Sequence, residues 1–125
     1  MAQAATDFDS ATRAFYDELD ANDPGAFRRH LAPNAIFVFN DVDPVTGVQH
    51  IGDFVGAWKG NFKSVTRDIA AITVDPARGS AGVEIVVSYV FPDDHEVKVK
   101  GCSFLDFAAE GITGWRVYVD TSRLS

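Results

Sequence analysis

The sequence contains little cysteine and no long apolar run, and each of these absences excludes a class of protein. A single cysteine, Cys102, excludes an internal disulfide and any zinc site built from several cysteines. The longest unbroken apolar run is the five residues 35–39, whereas a membrane-spanning helix needs about 20. Residues 1–7 lack the basic start and apolar stretch of a secretory signal. We therefore expect a cytoplasmic protein that does not enter a membrane.

Basic residues are also in the minority. Lysine and arginine total 11 against 18 acidic residues, which gives a formal net charge of −7. Nucleic-acid binding needs a basic stripe, so we expect no nucleic-acid partner. A length of 125 residues with 46% hydrophobic residues predicts one domain over residues 1–125 with its own core.

Helical patterns dominate the first half of the sequence. One apolar face predicts a first helix that ends near Asn22; its members are Phe8, Thr12, Phe15, Tyr16 and Leu19. Asp23-Pro24 is typical of a helix start, and the short second helix should stop at residues 32–34. A third helix is predicted over about residues 53–61. Gly52, just before it, and Gly56 and Gly60 within it are spaced four residues apart, which we attribute to close packing on a sheet.

Strand patterns follow the helices. A short strand is predicted over residues 35–40, and four longer strands over about 64–75, 81–91, 95–107 and 112–120. Alternation is clearest from 96 to 107, where Val99, Ser103 and Leu105 share one face and Lys98 and Lys100 the other. Short turns between long strands predict antiparallel pairing. The sequence therefore predicts an α+β fold with helices on one face of a curved sheet.

Two segments carry a resemblance to a known group of proteins. Residues 15–23 together with Leu31-Ala32-Pro33-Asn34-Ala35 resemble the opening of the nuclear transport factor 2-like superfamily. Residues 111–120, Gly-Ile-Thr-Gly-Trp-Arg-Val-Tyr-Val-Asp, resemble the branch of SnoaL-like polyketide cyclases and limonene epoxide hydrolases. The resemblance implies a cone-shaped fold of three N-terminal helices on a mostly antiparallel sheet. It also implies a deep apolar pocket and a homodimer formed through the outer face of the sheet.

The catalytic sets of the resembled enzymes are not intact in this sequence. Val117 stands where the epoxide hydrolases place an aspartate, and residues 84–91 contain no Arg-x-Asp pair. The tyrosine of the ketosteroid isomerases falls at Phe15, their base near Phe39 and their second aspartate near Ser103. The fold alone does not define a reaction.

Asp41 and Asp43 are the first candidates for chemistry. They follow the first strand at the expected mouth of the pocket. A carboxylate there can act as a general base whose pKa is raised by apolar neighbours such as Phe37 and Phe39. The same run of residues is also typical of a solvated turn.

Histidine and tyrosine complete the predicted catalytic set of Asp41, His50 and Tyr16. His50 precedes the third helix, where it can move a proton near neutral pH and can be oriented by Asp41; a surface histidine is the alternative. Tyr16 lies on the inward face of the first helix and can polarise a carbonyl or hold an enolate oxygen; a core tyrosine is the alternative. The histidines show no ligand-like spacing, so we expect no metal.

Aromatic residues and small hydroxyls predict the pocket wall. The predicted lining residues are Phe15, Leu19, Phe37, Phe39, Trp58, Ser88, Ser103, Trp115 and Val117. Apolar walls with few polar groups are typical of a small-molecule site, and equally of a plain core. No nucleotide-binding glycine motif is present, so we expect no cofactor.

These patterns favour a cofactor-free enzyme of the cyclase, isomerase or hydrolase type, acting by acid–base chemistry on a mostly apolar small molecule. A non-catalytic ligand-binding module is the first alternative. A protein-interaction domain that uses the sheet face is the second. Apolar residues on that face, Val90, Phe104 and Tyr118, also favour a homodimer.

Overall fold

The structure, a computed structural model, describes residues 2–124 and the side chains of residues 7–124. Within this part the helices are α1 (Ala2–Asp20), α2 (Ala26–His30) and α3 (Val48–Lys59). The strands are β1 (Leu31–Phe39), β2 (Val45–Thr46), β3 (Ser64–Asp75), β4 (Ser80–Val90), β5 (Glu96–Ala108) and β6 (Gly111–Val119). A 3₁₀ turn, Thr121–Leu124, follows β6.

The described strands form one six-stranded mixed sheet in the order β2-β1-β6-β5-β4-β3. Four of the five pairings are antiparallel, and β1 runs parallel to β6. The helices and the inward faces of the strands enclose one core. This confirms the predicted α+β cone with helices packed on a mostly antiparallel sheet.

The four long strands begin and end within one residue of their predicted bounds. Alternation explains this accuracy, because Val99, Ser103 and Leu105 are buried while Lys98 and Lys100 are exposed. These long hairpin strands have one dry face and one wet face, so the pattern is unambiguous.

The first strand is longer than predicted, and this expectation was wrong. It begins at Leu31, which pairs with Ile112, so α2 ends at His30 rather than at residues 32–34. Pro33 is tolerated because the register shifts between Leu31 and Ile36, where its missing N–H breaks no ladder bond. The third helix also begins five residues earlier than predicted, at Val48.

The glycines of α3 do not pack against the sheet, contrary to the expectation. Gly52 faces the Phe27 ring of α2, and a Cβ at Gly52 would lie 3.7 Å from that ring. A Cβ at Gly56 would meet nothing within 4 Å. Gly60 is the C-cap residue of the helix. The helical cost of Gly56 is therefore not offset by a close contact.

We expect Gly56→Ala to stabilise the protein by about 0.5–1 kcal/mol, because alanine restricts the unfolded chain and fits the open side of α3. Urea unfolding followed by circular dichroism measures the change. Gly101→Ala is the control, since a Cβ there would lie 2.6 Å from the Tyr118 carbonyl oxygen and should destabilise the fold. Equal stability of wild type and Gly56→Ala would contradict the expectation.

Candidate functional site

A buried hydrogen-bond network joins α1 to the sheet. The Tyr16 hydroxyl shares a hydrogen bond with Ser103 Oγ of β5 at 2.5 Å. The Trp115 indole N–H of β6 donates to the same Tyr16 oxygen at 3.0 Å. All three side chains are buried. Burial raises the pKa of Tyr16, and this outweighs the opposing effects of Ser103, Arg67 and Trp115.

An ion pair lies beside this network. Asp20, at the end of α1, accepts the Arg67 backbone N–H at 2.8 Å and the Arg67 Nη1–H at 2.5 Å. The Arg67 guanidinium also lies over the Tyr16 ring, 5.5 Å from its centroid. Burial raises the pKa of Asp20 above its usual value, although Arg67 opposes the shift. Both side chains are largely shielded from solvent.

A second cation stands near this pair. Lys59 Nζ, at the end of α3, donates to the Leu19 carbonyl at 3.0 Å and to Asn22 Oδ1 at 2.5 Å. Partial burial lowers the pKa of Lys59, Arg67 lowers it further, and Asp20 raises it. Arg67 therefore pairs directly with the Asp20 carboxylate, and Lys59 acts on it from a longer distance.

A small cavity of about 30 Å³ lies inside the cone. Its lining residues are Phe37, Phe39, Phe54, Val55, Trp58, Arg67, Val87, Tyr89, Trp115, Val117 and Val119. Aromatic side chains occupy much of the interior; the Phe37 and Trp115 rings, for example, lie 4.5 Å apart. The space suffices for one or two water-sized groups. The interior is therefore far smaller than the deep pocket that the resemblance implies.

A larger cleft of about 1000 Å³ opens outside this cavity. Aromatic residues form much of its wall, namely Phe39, Trp58, Phe62, Phe91 and Tyr118. Asp41 and Asp120 add carboxylates. Cleft and cavity share three lining residues, Phe39, Trp58 and Val119. The Phe39 and Trp58 rings lie 5.1 Å apart. These side chains separate the outer cleft from the inner cavity.

The predicted catalytic residues lie in three different places. Asp41 lines the outer cleft. His50 is exposed in a separate groove, where its Nδ1 lies 3.1 Å from the Thr46 carbonyl oxygen. Tyr16 is buried in the network with Ser103, behind the cavity wall. The structure does not bring these three side chains together.

The predicted pocket residues divide in a similar way. Those that line the cavity are Phe37, Phe39, Trp58, Trp115 and Val117. Phe15 and Leu19 are buried in the core instead. Ser103 binds Tyr16, and Ser88 alternates with the cavity-lining Val87 and Tyr89, so it belongs to the opposite face of β4.

Sequence reasoning missed Arg67 and Asp20. Arg67 shares a strand face with Val65 and Ile69, and a cation on an inward face was the available signal. Asp20 follows Tyr16 by four residues, so both lie on one side of α1. Neither signal identifies the partner, because α1 and β3 are far apart in the sequence.

A model of the SnoaL-like domain matches residues 12–115. The chain belongs to the SnoaL-like domain family. This confirms the resemblance to the nuclear transport factor 2-like superfamily. No curated protein matches the sequence. In residues 2–124 of this SnoaL-like chain, no helix is long and apolar enough to cross a membrane.

Solved structures share the fold of this SnoaL-like domain at low sequence identity. A candidate SnoaL-like polyketide cyclase from Jannaschia sp. CCS1 superposes with a TM-score of 0.85 at 17% identity, covering 96% of this chain and 90% of that chain. An LEH-like epoxide hydrolase from M. tuberculosis gives 0.80 at 18% identity, covering 94% and 86%. A candidate polyketide cyclase from Xanthomonas campestris pv. campestris gives 0.79 at 20%, covering 98% and 94%. At these identities the likeness establishes the fold and no activity.

We expect Tyr16→Phe to destabilise the SnoaL-like domain by about 2 kcal/mol, because it leaves the buried Trp115 N–H and Ser103 hydroxyl without their shared partner. Thermal and urea unfolding measure the loss. Tyr118→Phe, on an exposed tyrosine, is the matched control and should change stability by less than about 0.5 kcal/mol. Equal losses in the two variants would contradict the role given to the network.

Proposed function

We propose that this SnoaL-like domain is a cofactor-free enzyme that acts by acid–base chemistry on a small, mostly apolar molecule. The reaction is of the cyclase, isomerase or hydrolase type. The observation that carries the proposal is the aromatic cleft with Asp41 in its wall, adjoining an inner cavity that holds one cationic side chain. An apolar wall with a few polar groups is the usual composition of a small-molecule site.

Asp41 is the proposed acid–base residue. Its carboxylate is the predicted catalytic group that lies in the cleft wall together with Phe39 and Trp58. A substrate packed on these rings would meet the carboxylate just beyond the end of β1. His50 and Tyr16, the other two candidates, have their own partners in the fold and are assigned no direct step.

We expect N-phenyl-1-naphthylamine, a neutral apolar probe, to bind in the cleft and to gain fluorescence there. Val42→Glu should weaken its binding several-fold, because Val42 lines the cleft and a carboxylate there is poorly solvated beside the probe. Ile36→Glu is the matched control, since Ile36 is 46% exposed against 45% for Val42 and lies outside the cleft lining. Equal affinities in both variants would place the probe elsewhere.

A second experiment distinguishes catalysis from binding. It measures, by proton NMR, the exchange of the α-protons of 2-tetralone in D₂O. We expect the wild type to accelerate exchange, because a carboxylate beside an apolar site can remove a proton next to a carbonyl. Asp41→Asn should lower the enzymatic part of the rate by about 10²-fold or more, whereas Asp43→Asn should leave it unchanged. Probe binding without any accelerated exchange would favour the non-catalytic ligand-binding module.

We further propose that the domain forms a homodimer through the outer face of its sheet. Phe104 and Tyr118 are 40% and 39% exposed there, and their ring centroids lie 6.3 Å apart. Burying these rings against a second copy would remove apolar surface from water. We expect light scattering at micromolar concentration to give about twice 13.6 kDa, and Phe104→Lys to lower it; a wild-type mass of 13.6 kDa would refute the dimer.

A further inference from the structure

Arg67 is the charged residue in the wall of the inner cavity. The other ten lining side chains are aromatic or aliphatic, so the guanidinium is the polar feature that decides what can enter. Tyr89 adds a hydroxyl whose pKa is raised by burial and lowered by Arg67. An apolar chamber with one guanidinium discriminates strongly between ligands, because charged groups interact most strongly where water is excluded.

Asp20 holds Arg67 in place but does not use all of its hydrogen-bond donors. Asp20 anchors its backbone N–H and its Nη1–H. A guanidinium has five N–H donors, and within the described residues Nη1 makes the single side-chain hydrogen bond of Arg67. Every fully buried side-chain nitrogen and oxygen in this part of the chain has a hydrogen-bond partner. Nε and Nη2 therefore retain accessible surface and remain donors for an incoming oxygen.

The local charge favours an anion. Asp20, the ion-pair partner of Arg67, is not a lining residue of the cavity, and neither is Lys59. The cavity lining therefore has a local excess of positive charge, which is opposite in sign to the net charge of −7 on the whole chain. An anion that enters the site would be attracted at short range by this local excess.

We propose that the ligand of this site is an apolar molecule with an anionic oxygen, such as a carboxylate, and that Arg67 binds that oxygen. This inference rests on the proposed function, since it names the class of molecule that the same site accepts. The oxygen occupies the inner cavity, and the apolar body lies in the outer cleft.

The sizes of the two spaces set this orientation. A cavity of about 30 Å³ accommodates an oxygen-sized group and no ring. A cleft of about 1000 Å³ accommodates the rest of a small molecule. The anionic oxygen must pass between Phe39, Trp58 and Val119, the residues that both spaces share. Binding should therefore shift the Trp58 side chain.

Benzoate and benzamide test the proposal, because they share a ring and differ in charge at the oxygen. Titration of the ¹⁵N-labelled full chain, followed through the Trp58 indole resonance, should give a benzoate Kd about tenfold lower than that of benzamide. Arg67→Gln should bring the ratio of the benzamide Kd to the benzoate Kd close to one. Asp20→Asn should increase this ratio, because it removes the carboxylate that competes with benzoate for Arg67.

Opposite effects of these two variants separate ligand binding from a structural role. If the Arg67–Asp20 ion pair only supported the fold, either variant would weaken the binding of benzoate and of benzamide to the same extent. Arg67→Lys is the second variant to test if Arg67→Gln does not fold. It keeps the charge and should retain part of the preference for benzoate over benzamide. Arg13→Gln is the control for net charge, since Arg13 forms an exposed pair with Asp9 far from the cavity lining.

Three results would overturn the proposal. Equal affinities for benzoate and benzamide, with N-phenyl-1-naphthylamine still bound in the cleft, would refute the anionic ligand and leave the proposed function standing. A preference for benzoate that survives Arg67→Gln would assign the anion to another cation. Failure of all three molecules to bind would refute the proposed function itself and this inference with it.

Discussion

The Trp115 side chain is the contact on which the interior of this domain depends. Its ring lies 5.0 Å from Phe15 of α1, 6.3 Å from Phe27 of α2 and 4.5 Å from Phe37 of β1. Its N–H donates to Tyr16. One residue on β6 thus fixes two helices and a neighbouring strand, through both apolar packing and a directed hydrogen bond. The same ring forms part of the cavity wall, so stability and the shape of the site are set together.

The polar side chains of this core differ in how completely they are hydrogen-bonded. Tyr16 and Ser103 each have a hydrogen-bond partner, since they bond each other and Tyr16 also accepts from Trp115, which is what a buried hydroxyl requires. Arg67 lines the cavity and keeps part of its hydrogen-bonding capacity, while Asp20 is its ion-pair partner. In the resembled epoxide hydrolases an acid stands on the last strand, where this chain has Val117. The charge of this interior comes instead from β3 and α1.

The sequence allowed the long strands and the fold to be predicted because their signal is local. Each of the strands β3 to β6 repeats every two residues, and the turns between them are short. The start of β1 was missed because Leu31 looks like the last apolar residue of a short helix, and only its pairing with Ile112 makes it a strand residue. The closed interior was missed for a related reason. Phe37, Phe39 and Trp58 were expected in the pocket wall, but whether such rings surround a space or fill it depends on their mutual packing. Arg67 and Asp20 were missed since their pairing joins elements that are distant along the chain.

The parallel pairing of β1 with β6 has a consequence for how the chain folds. Residues 31–39 leave the ribosome first, and their neighbour in the sheet, residues 111–119, follows much later. Until then β1 has only the two-residue β2 as a strand partner, and Phe37 has no Trp115 to pack against. The core can close only after residues 111–119 are available, because they supply Trp115 and the parallel partner of β1. Domains dominated by such distant pairings fold slowly and expose strand edges meanwhile. A nascent chain of this domain therefore carries β1 without its β6 partner until residues 111–119 have been made.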